Sequence, residues 1–299
     1  MNKVIITTDS AMCPKKKENS IIIPTQIINS DGKSYPDNGT ISNKKILDDM
    51  ENNITYKTSA PLLGDFEQAF RNALEQGKDV IHLSVGSGIS AGSVNGANLI
   101  ANQLNEEYKN QVYVIDSLTG GTGGTLFYEL AYEKIMNSSD DPKNIIEKLN
   151  KLKKYIKSSF YVPNIDGYIR SGRDKSNLNI KNKILNTTSK IAKFASFKFR
   201  VDLNDYGDLH FKNFFRSNSI DGMKKMVKEI VNEDNITDFE PTYVAIGNLY
   251  KDKVDLGEIK QYLLSFGYFK DVIEQDIGSV IAVYGCNDLC GISLAKKMR

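Results

Sequence analysis

The stretch DVIHLSVGSGISAGSVNGA, residues 79–97, decides how this chain is read. Val80, Ile81 and Leu83 form a short apolar run that reads as a buried strand. Gly86 and Gly88 then open the backbone, and Ser87 and Ser90 carry hydroxyls. From about Ser90 the apolar positions Val94, Ala97, Leu99–Ala101 and Leu104 fit spacings of three and four, which predicts a helix. A strand therefore enters a Gly/Ser turn and leaves as a helix. The first N–H groups of such a helix have no intrahelical acceptor, and the dipole there is positive. Two readings stand side by side. The turn is an anion site for a carboxylate or phosphate, or it is an ordinary strand-to-helix loop with a serine cap.

The surrounding chain repeats the unit. Val4–Thr8 reads as a strand ending at Asp9-Ser10. Gln111–Asp116 reads as another, ending at Asp116-Ser117 and followed by Gly120–Gly124 and a helix over Leu126–Met136. Between them come a strand over Ile21–Ile28 interrupted by Pro24, which marks an edge or a bend, a helix over Lys44–Asn53 capped by Ser42, and a helix Phe66–Gln76 begun by Asp65. Alternating strands and helices predict a parallel sheet. Ligands of such sheets sit beyond the carboxyl ends of the strands. Asp9-Ser10, Ser87–Ser90 and Asp116-Ser117 all fall there. The loop Gly120–Gly124 fits neither the dinucleotide pattern nor the phosphate loop. No nucleotide or other cofactor is expected. Those glycines let a helix pack closely or leave room for a ligand.

After a helix running to about Tyr155 the texture changes. Phe160–Val162 reads as a strand, Ile165–Ser171 as a short helix, and Asn204–Gly207 as a hairpin turn between Phe194–Leu203 and Asp208–Phe214. Ser219 is expected to cap a helix over Met223–Val231. Tyr243–Gly247, Val272–Gln275 and Val280–Tyr284 are expected as strands, Leu256–Phe266 as a helix, and a last helix from about Asp288. The expected fold class is α/β in two domains. Residues 1–158 form a parallel-sheet domain and 159–299 an α/β domain with a mixed or antiparallel sheet, the ligand lying between them.

The 299 residues suit two modest domains, and a hydrophobic content of 40% suffices for their cores. A net charge of +2 gives no field to draw nucleic acid or a membrane surface. No signal peptide and no apolar run of about eighteen residues is read, so no stable membrane insertion is expected. Three cysteines, Cys13, Cys286 and Cys290, make no disulfide framework and fit a reducing cytoplasm. Cys286 and Cys290 stand four apart without a neighbouring His, a poor zinc pattern, and no metal is expected.

Gly88-Ile89-Ser90-Ala91-Gly92 matches the nucleophile elbow of serine hydrolases, strand before and helix after. That chemistry needs a histidine base. The chain has His82, inside the strand, and His210, in the hairpin. Thr58-Ser59, in an extended segment before Pro61, are ordinary loop residues or a second set of hydroxyl donors facing Ser87 and Ser90. Arg173 is a surface charge or a counter-ion for a bound anion. Tyr284 is a core residue or a phenolic donor to the ligand.

Together these segments resemble the DegV family of bacterial fatty-acid-binding proteins. Thr7-Thr8-Asp9-Ser10 is similar to its opening strand and Asp-Ser. Tyr35-Pro36-Asp37 and the run Thr58–Phe66 resemble its Tyr-x-Asp and Thr-Ser-x-Pro motifs. Ser87–Gly92 resembles its Ser-rich turn, Val114–Ser117 its second Asp-Ser, and Tyr168–Arg173 its Tyr-Leu-x-x-Gly-Arg. The resemblance implies a two-domain fold holding one long-chain fatty acid, such as palmitate, between the domains. It implies that Thr58 and Ser90 bond the carboxylate, with Ser59, Ser87 and Gly88 beside them. It also implies a carrier rather than an enzyme, presenting its ligand to a separate fatty-acid kinase that makes an acyl phosphate for phospholipid synthesis. Serine esterase action and binding of another small lipid or anion are the alternatives. The chain departs from the family where a His and a Gly-Pro-Gly turn are usual: here Tyr284 stands before Gly285-Cys286-Asn287.

Overall fold

The computed structural model describes residues 4–163, 198–248, 255–285 and 289–298. Arg173, Cys286 and the segments expected over Ile165–Ser171 and Tyr168–Arg173 lie outside the described residues.

Strand β1 (Val4–Asp9) is buried at all six positions, as a strand with neighbours on both edges and cover on both faces must be. It pairs in parallel with β2 (Ser20–Ile23) and β6 (Asp79–Ser84), and β6 pairs in parallel with β7 (Val112–Asp116). The order is β2-β1-β6-β7. Pro24 lacks the N–H that a ladder needs. The run expected as one interrupted strand is therefore two: β2 ends at Ile23, and β3 (Gln26–Asn29) begins a separate antiparallel sheet with β4 (Ser34–Pro36) and β5 (Tyr56–Ser59).

Helix α1 (Asn43–Glu51) is capped by Ser42, whose Oγ accepts the Lys45 N–H at 3.1 Å. Helix α2 (Leu63–Leu74) starts two residues before Asp65, which falls in its first turn. Its Phe66, Ala69, Phe70, Ala73 and Leu74 recur at helical spacing and pack with α3 (Ser87–Glu107) over the outer face of the parallel sheet.

The second sheet runs β10-β9-β8-β13-β11-β12. Its strands are β8 (Ile156–Val162), β9 (Lys198–Leu203), β10 (Leu209–Phe215), β11 (Phe239–Asn248), β12 (Ile273–Asp276) and β13 (Cys290–Lys296). Neighbours are antiparallel except β11 and β12, so the sheet is mixed. The domain boundary expected at 158 falls within β8. Helices α6 (Ser219–Glu233) and α7 (Leu256–Leu264) cover its outer face. Helix α4 (Thr122–Met136) lies between the lobes, followed by α5 (Pro142–Leu152). Gly124 is what brings α4 so close: a Cβ there would stand 2.7 Å from the Met12 backbone.

Three local expectations are corrected. Ser219 is the first residue of α6, and Asn218 caps it by accepting the Asp221 N–H at 2.8 Å. Val280–Tyr284 is not a strand but part of helix α8 (Ser279–Gly285). Its Val and Ile favour a strand, yet burial between α1, β3 and β5 overrides that weak preference. The last helix is instead strand β13, which contains Cys290. Ile292 and Leu294 stand two apart, the strand period, and six of its seven residues are buried.

Candidate functional site

Two aspartates at strand ends set the turn after β6. Asp9 Oδ2 accepts the Val85 N–H at 2.8 Å and the Ser84 hydroxyl at 3.0 Å, inside the core. Asp116 Oδ1 accepts the N–H groups of Ser87 at 3.0 Å and Leu118 at 3.1 Å. The chain then makes one helical turn and breaks at Ser90, whose φ of −147° and ψ of 82° are non-helical. The long part of α3 thus begins just after Ser90, and the Ser90 hydroxyl lies 3.0 Å from Ser93 Oγ. A helix start with serine hydroxyls is where the sequence put it.

The hairpin between β9 and β10 reaches this turn from the other lobe. A Cβ on Gly88 would fall 2.3 Å from the Gly207 carbonyl oxygen, and one on Gly207 would fall 2.7 Å from Leu118 O. Two glycines let the backbones of the lobes meet here. From the opposite side, Tyr284 on α8 meets Thr58 on β5: the two hydroxyls are 2.9 Å apart, and the Thr58 N–H donates to the phenol oxygen at 3.3 Å.

Between these contacts lies a pocket offering about 140 Å³ to the centre of a water-sized sphere. That is roughly ten times what one water needs, so the space suits an extended organic group. Its lining holds the hydroxyls of Thr25, Thr58, Ser59, Ser90 and Tyr284, two of which touch, and is otherwise mostly apolar, with Ile89, Phe160, Val162, Val201 and Leu209 among the side chains. Phe160 and Val162 alternate on β8, and Phe160 pairs across the ladder with Val201. Among the described residues of the lining, Tyr284 is the one titratable side chain.

The structure brings together Thr58, Ser59, Ser90 and Tyr284. Ser87 and Gly88 are not in the lining; the Ser87 backbone N–H goes to Asp116, and Gly88 lies against the hairpin. Arg173 lies outside the described residues. Sequence reasoning did not single out Thr25. Its position just after Pro24, where the chain leaves one sheet for another, was the available signal.

The histidines are elsewhere. His82 is fully buried, its Nδ1 2.9 Å from the Thr7 hydroxyl and its ring edge-on to Phe66 and Phe70. His210 Nε2 lies 3.0 Å from Asn204 Nδ2. Neither lines the pocket, so Ser90 has no imidazole base among the described residues. The arrangement supplies hydroxyl donors, a helix start and an apolar wall, groups whose chemistry complements a carboxylate joined to a hydrocarbon.

Comparison with known proteins bears on the same chain. A family model described as "Uncharacterised protein, DegV family" matches residues 3–297. A DegV domain-containing protein of Staphylococcus aureus strain COL is 28% identical over 177 residues, 58% of this chain and 61% of that protein. One from Ureaplasma parvum serovar 3 is 29% identical over 195 residues, 63% of this chain and 61% of its own length. The match thus spans about three fifths of these curated relatives. Among solved structures, a DegV family protein from Eubacterium eligens loaded with heptadecanoic acid superposes with a TM-score of 0.81 at 15% identity, covering 98% of this chain and 100% of its own. A fatty-acid-binding DegV family protein from Thermus thermophilus gives 0.80 at 19%, covering 99% and 100%. A stearic-acid-binding protein from Eubacterium ventriosum gives 0.80 at 21%, covering 99% of each chain. At these identities the likeness shows the fold.

Proposed function

The chain belongs to the DegV family, and from that premise we propose that it binds one long-chain fatty acid, with the carboxylate at Thr58 and Ser90 and the tail along the apolar wall. Ser59, Thr25 and Tyr284 complete the set of hydroxyls. The observation that carries this reading is the make-up of the pocket wall: the hydroxyls of Thr58, Ser59, Tyr284 and of Ser90 at the start of α3, together with Val, Ile, Leu and Phe side chains. Each buried methylene is worth about 0.8 kcal/mol, so a long tail offers roughly 10 kcal/mol before ordering and association costs. A buried carboxylate opposes binding unless it is hydrogen-bonded, and the hydroxyls answer that cost. Solved structures of a DegV family protein loaded with heptadecanoic acid and of a stearic-acid-binding protein support the ligand class.

The protein acts as a cytoplasmic carrier, handing its acid to a separate fatty-acid kinase for phospholipid synthesis. No helix among the described residues is long and apolar enough to cross a membrane. Mass spectrometry of lipid extracted from the purified, denatured protein tests the assignment. A long-chain fatty acid in near-stoichiometric amount is expected; a different lipid class, or an acid that excess palmitate fails to replace, contradicts it.

A further inference from the structure

Helix α8 separates two cavities. Val280 and Tyr284 face the apolar pocket, while Gly278, just before the helix, faces a polar cleft of about 1230 Å³. Among the described residues of the cleft wall, one carboxyl has hydroxyl partners but no cation, and one buried amide has no hydrogen bond at all.

The first is Asp37, which follows β4. Its half-buried carboxyl is pushed above the usual carboxylate range by burial, against the pull of the Ser10, Ser279 and Thr25 hydroxyls. No cation lies among these influences, and Asp37 forms no ion pair among the described residues. The second is Gln275 on β12, only 9% exposed, with neither its amide nitrogen nor its amide oxygen hydrogen-bonded. Gln275 stands opposite Gly247 in the ladder. A Cβ on Gly247 would approach Thr122 of α4 at 3.0 Å. Gln275 therefore projects from the sheet face turned to the N-terminal lobe. Three residues on, a Cβ at Gly278 would lie 3.8 Å from Asp37 Oδ2, which puts the acid and the end of β12 on the same cleft.

The remaining charges at the cleft are arranged away from this pair. Lys15 directs its ammonium to the Glu274 carbonyl at 3.4 Å, and the Glu274 carboxylate pairs with Lys260 at 3.0 Å. Asp255 caps α7 by accepting the Gly257 N–H. Lys16 and Asp276 are exposed at the rim. Cys13, whose thiol burial pushes up to about 12, is neutral and accepts the Gly278 N–H.

A half-buried carboxyl without a counter-charge, on the same cleft as a buried amide oxygen without a donor, calls for one positive group with several N–H donors. A guanidinium has five in a fixed plane and keeps its charge when desolvated. An ammonium is more strongly hydrated and lacks the fork. We propose that this cleft is a guanidinium site, in which Asp37 takes the charge and Gln275 Oε1 accepts a further N–H. The group comes either from free arginine or from an arginine side chain of a partner polypeptide. The site is independent of the fatty-acid reading.

Titration of the full chain with N-acetyl-L-argininamide, L-arginine and N-acetyl-L-lysinamide, followed by the side-chain amide NMR signal of Gln275 and by calorimetry, tests it. Saturable binding of an arginine compound is expected, about tenfold or more weaker for the lysine compound. Gln275→Met and Asp37→Asn, checked for folding by circular dichroism, are expected to weaken it by a similar factor. Tighter binding of the capped compound assigns the source to a polypeptide, and tighter binding of free arginine to the metabolite. No saturable binding of either arginine compound, equal affinity for the lysine compound, or unchanged affinity in both variants overturns the proposal.

Discussion

The Tyr284 hydroxyl lies 2.9 Å from Thr58 Oγ1, fastening helix α8 to strand β5 in the wall of the apolar pocket. A phenol cannot supply the positive charge that an imidazolium would, so under the proposed function a carboxylate bound here is held by hydrogen bonds and the start of α3. Ser90→Ala is expected to weaken palmitate binding about tenfold, the scale of one hydrogen bond to a charged group, with thermal stability unchanged. Tyr284→Phe is expected to lower stability by about 1 kcal/mol and affinity by a smaller factor. Calorimetric titration beside thermal denaturation separates the two effects; equal affinity of wild type and Ser90→Ala would sink the assignment of Ser90.

The contact between lobes at Gly88 and Gly207 has its own test. Gly207 has φ +77° and would place a Cβ 2.7 Å from Leu118 O, whereas Gly77 has a similar φ of +69° with nothing within 4 Å. Both substitutions to Ala carry the same backbone strain, about 1 kcal/mol or more. Gly207→Ala is expected to be the more damaging, by a further 1–3 kcal/mol or so from the clash, and to weaken palmitate binding as well. Chemical denaturation of the two variants decides the point: equal losses would mean that the hairpin contact is slack.

The apolar wall predicts a dependence on chain length. Val201, 1% exposed and paired with Phe160, is replaced by a much larger ring in Val201→Trp. The added bulk takes space from the tail and leaves the hydroxyls in place. Palmitate binding is expected to fall at least tenfold and binding of an eight-carbon acid much less, by competition against a fluorescent fatty acid. Equal losses for both acids would place the tail elsewhere.

Asp37 gives stability a definite slope with pH. Its carboxyl holds its proton to higher pH in the folded protein than in the unfolded chain. From the ordinary carboxylate range up to the raised folded value, the unfolded chain binds fewer protons, so this group makes stability fall as pH rises. Asp37→Asn removes that slope. Urea denaturation from acid to neutral pH is expected to show the variant gaining on the wild type as pH rises; parallel curves would show that burial does not govern Asp37.

Much of this was legible in the residues. The strand, Gly/Ser turn and helix around Ser90 appear as read, because glycines, a serine break and apolar periodicity all point the same way there. The parallel first sheet and the mixed second sheet follow from the alternation of elements. Misreadings fall where local preference and packing disagree. Val280–Tyr284 has strand-forming residues but is buried between elements as a helix, and Cys290–Lys296 is so uniformly buried that no polar alternation marked it as a strand. Thr58 and Tyr284 are 226 residues apart, and no local pattern announces their hydrogen bond. Ser87 carries the right chemistry in the right turn, yet Asp116 claims its N–H, a pairing fixed by the neighbouring strand rather than by sequence spacing.

A crystal structure of the protein with bound palmitate tests the central claim most directly. The account predicts the carboxylate within about 3 Å of the Thr58 and Ser90 hydroxyls, with the hydrocarbon running past Ile89, Phe160 and Val201. Palmitate lying with its methyl end at Thr58, or outside this pocket altogether, would contradict it.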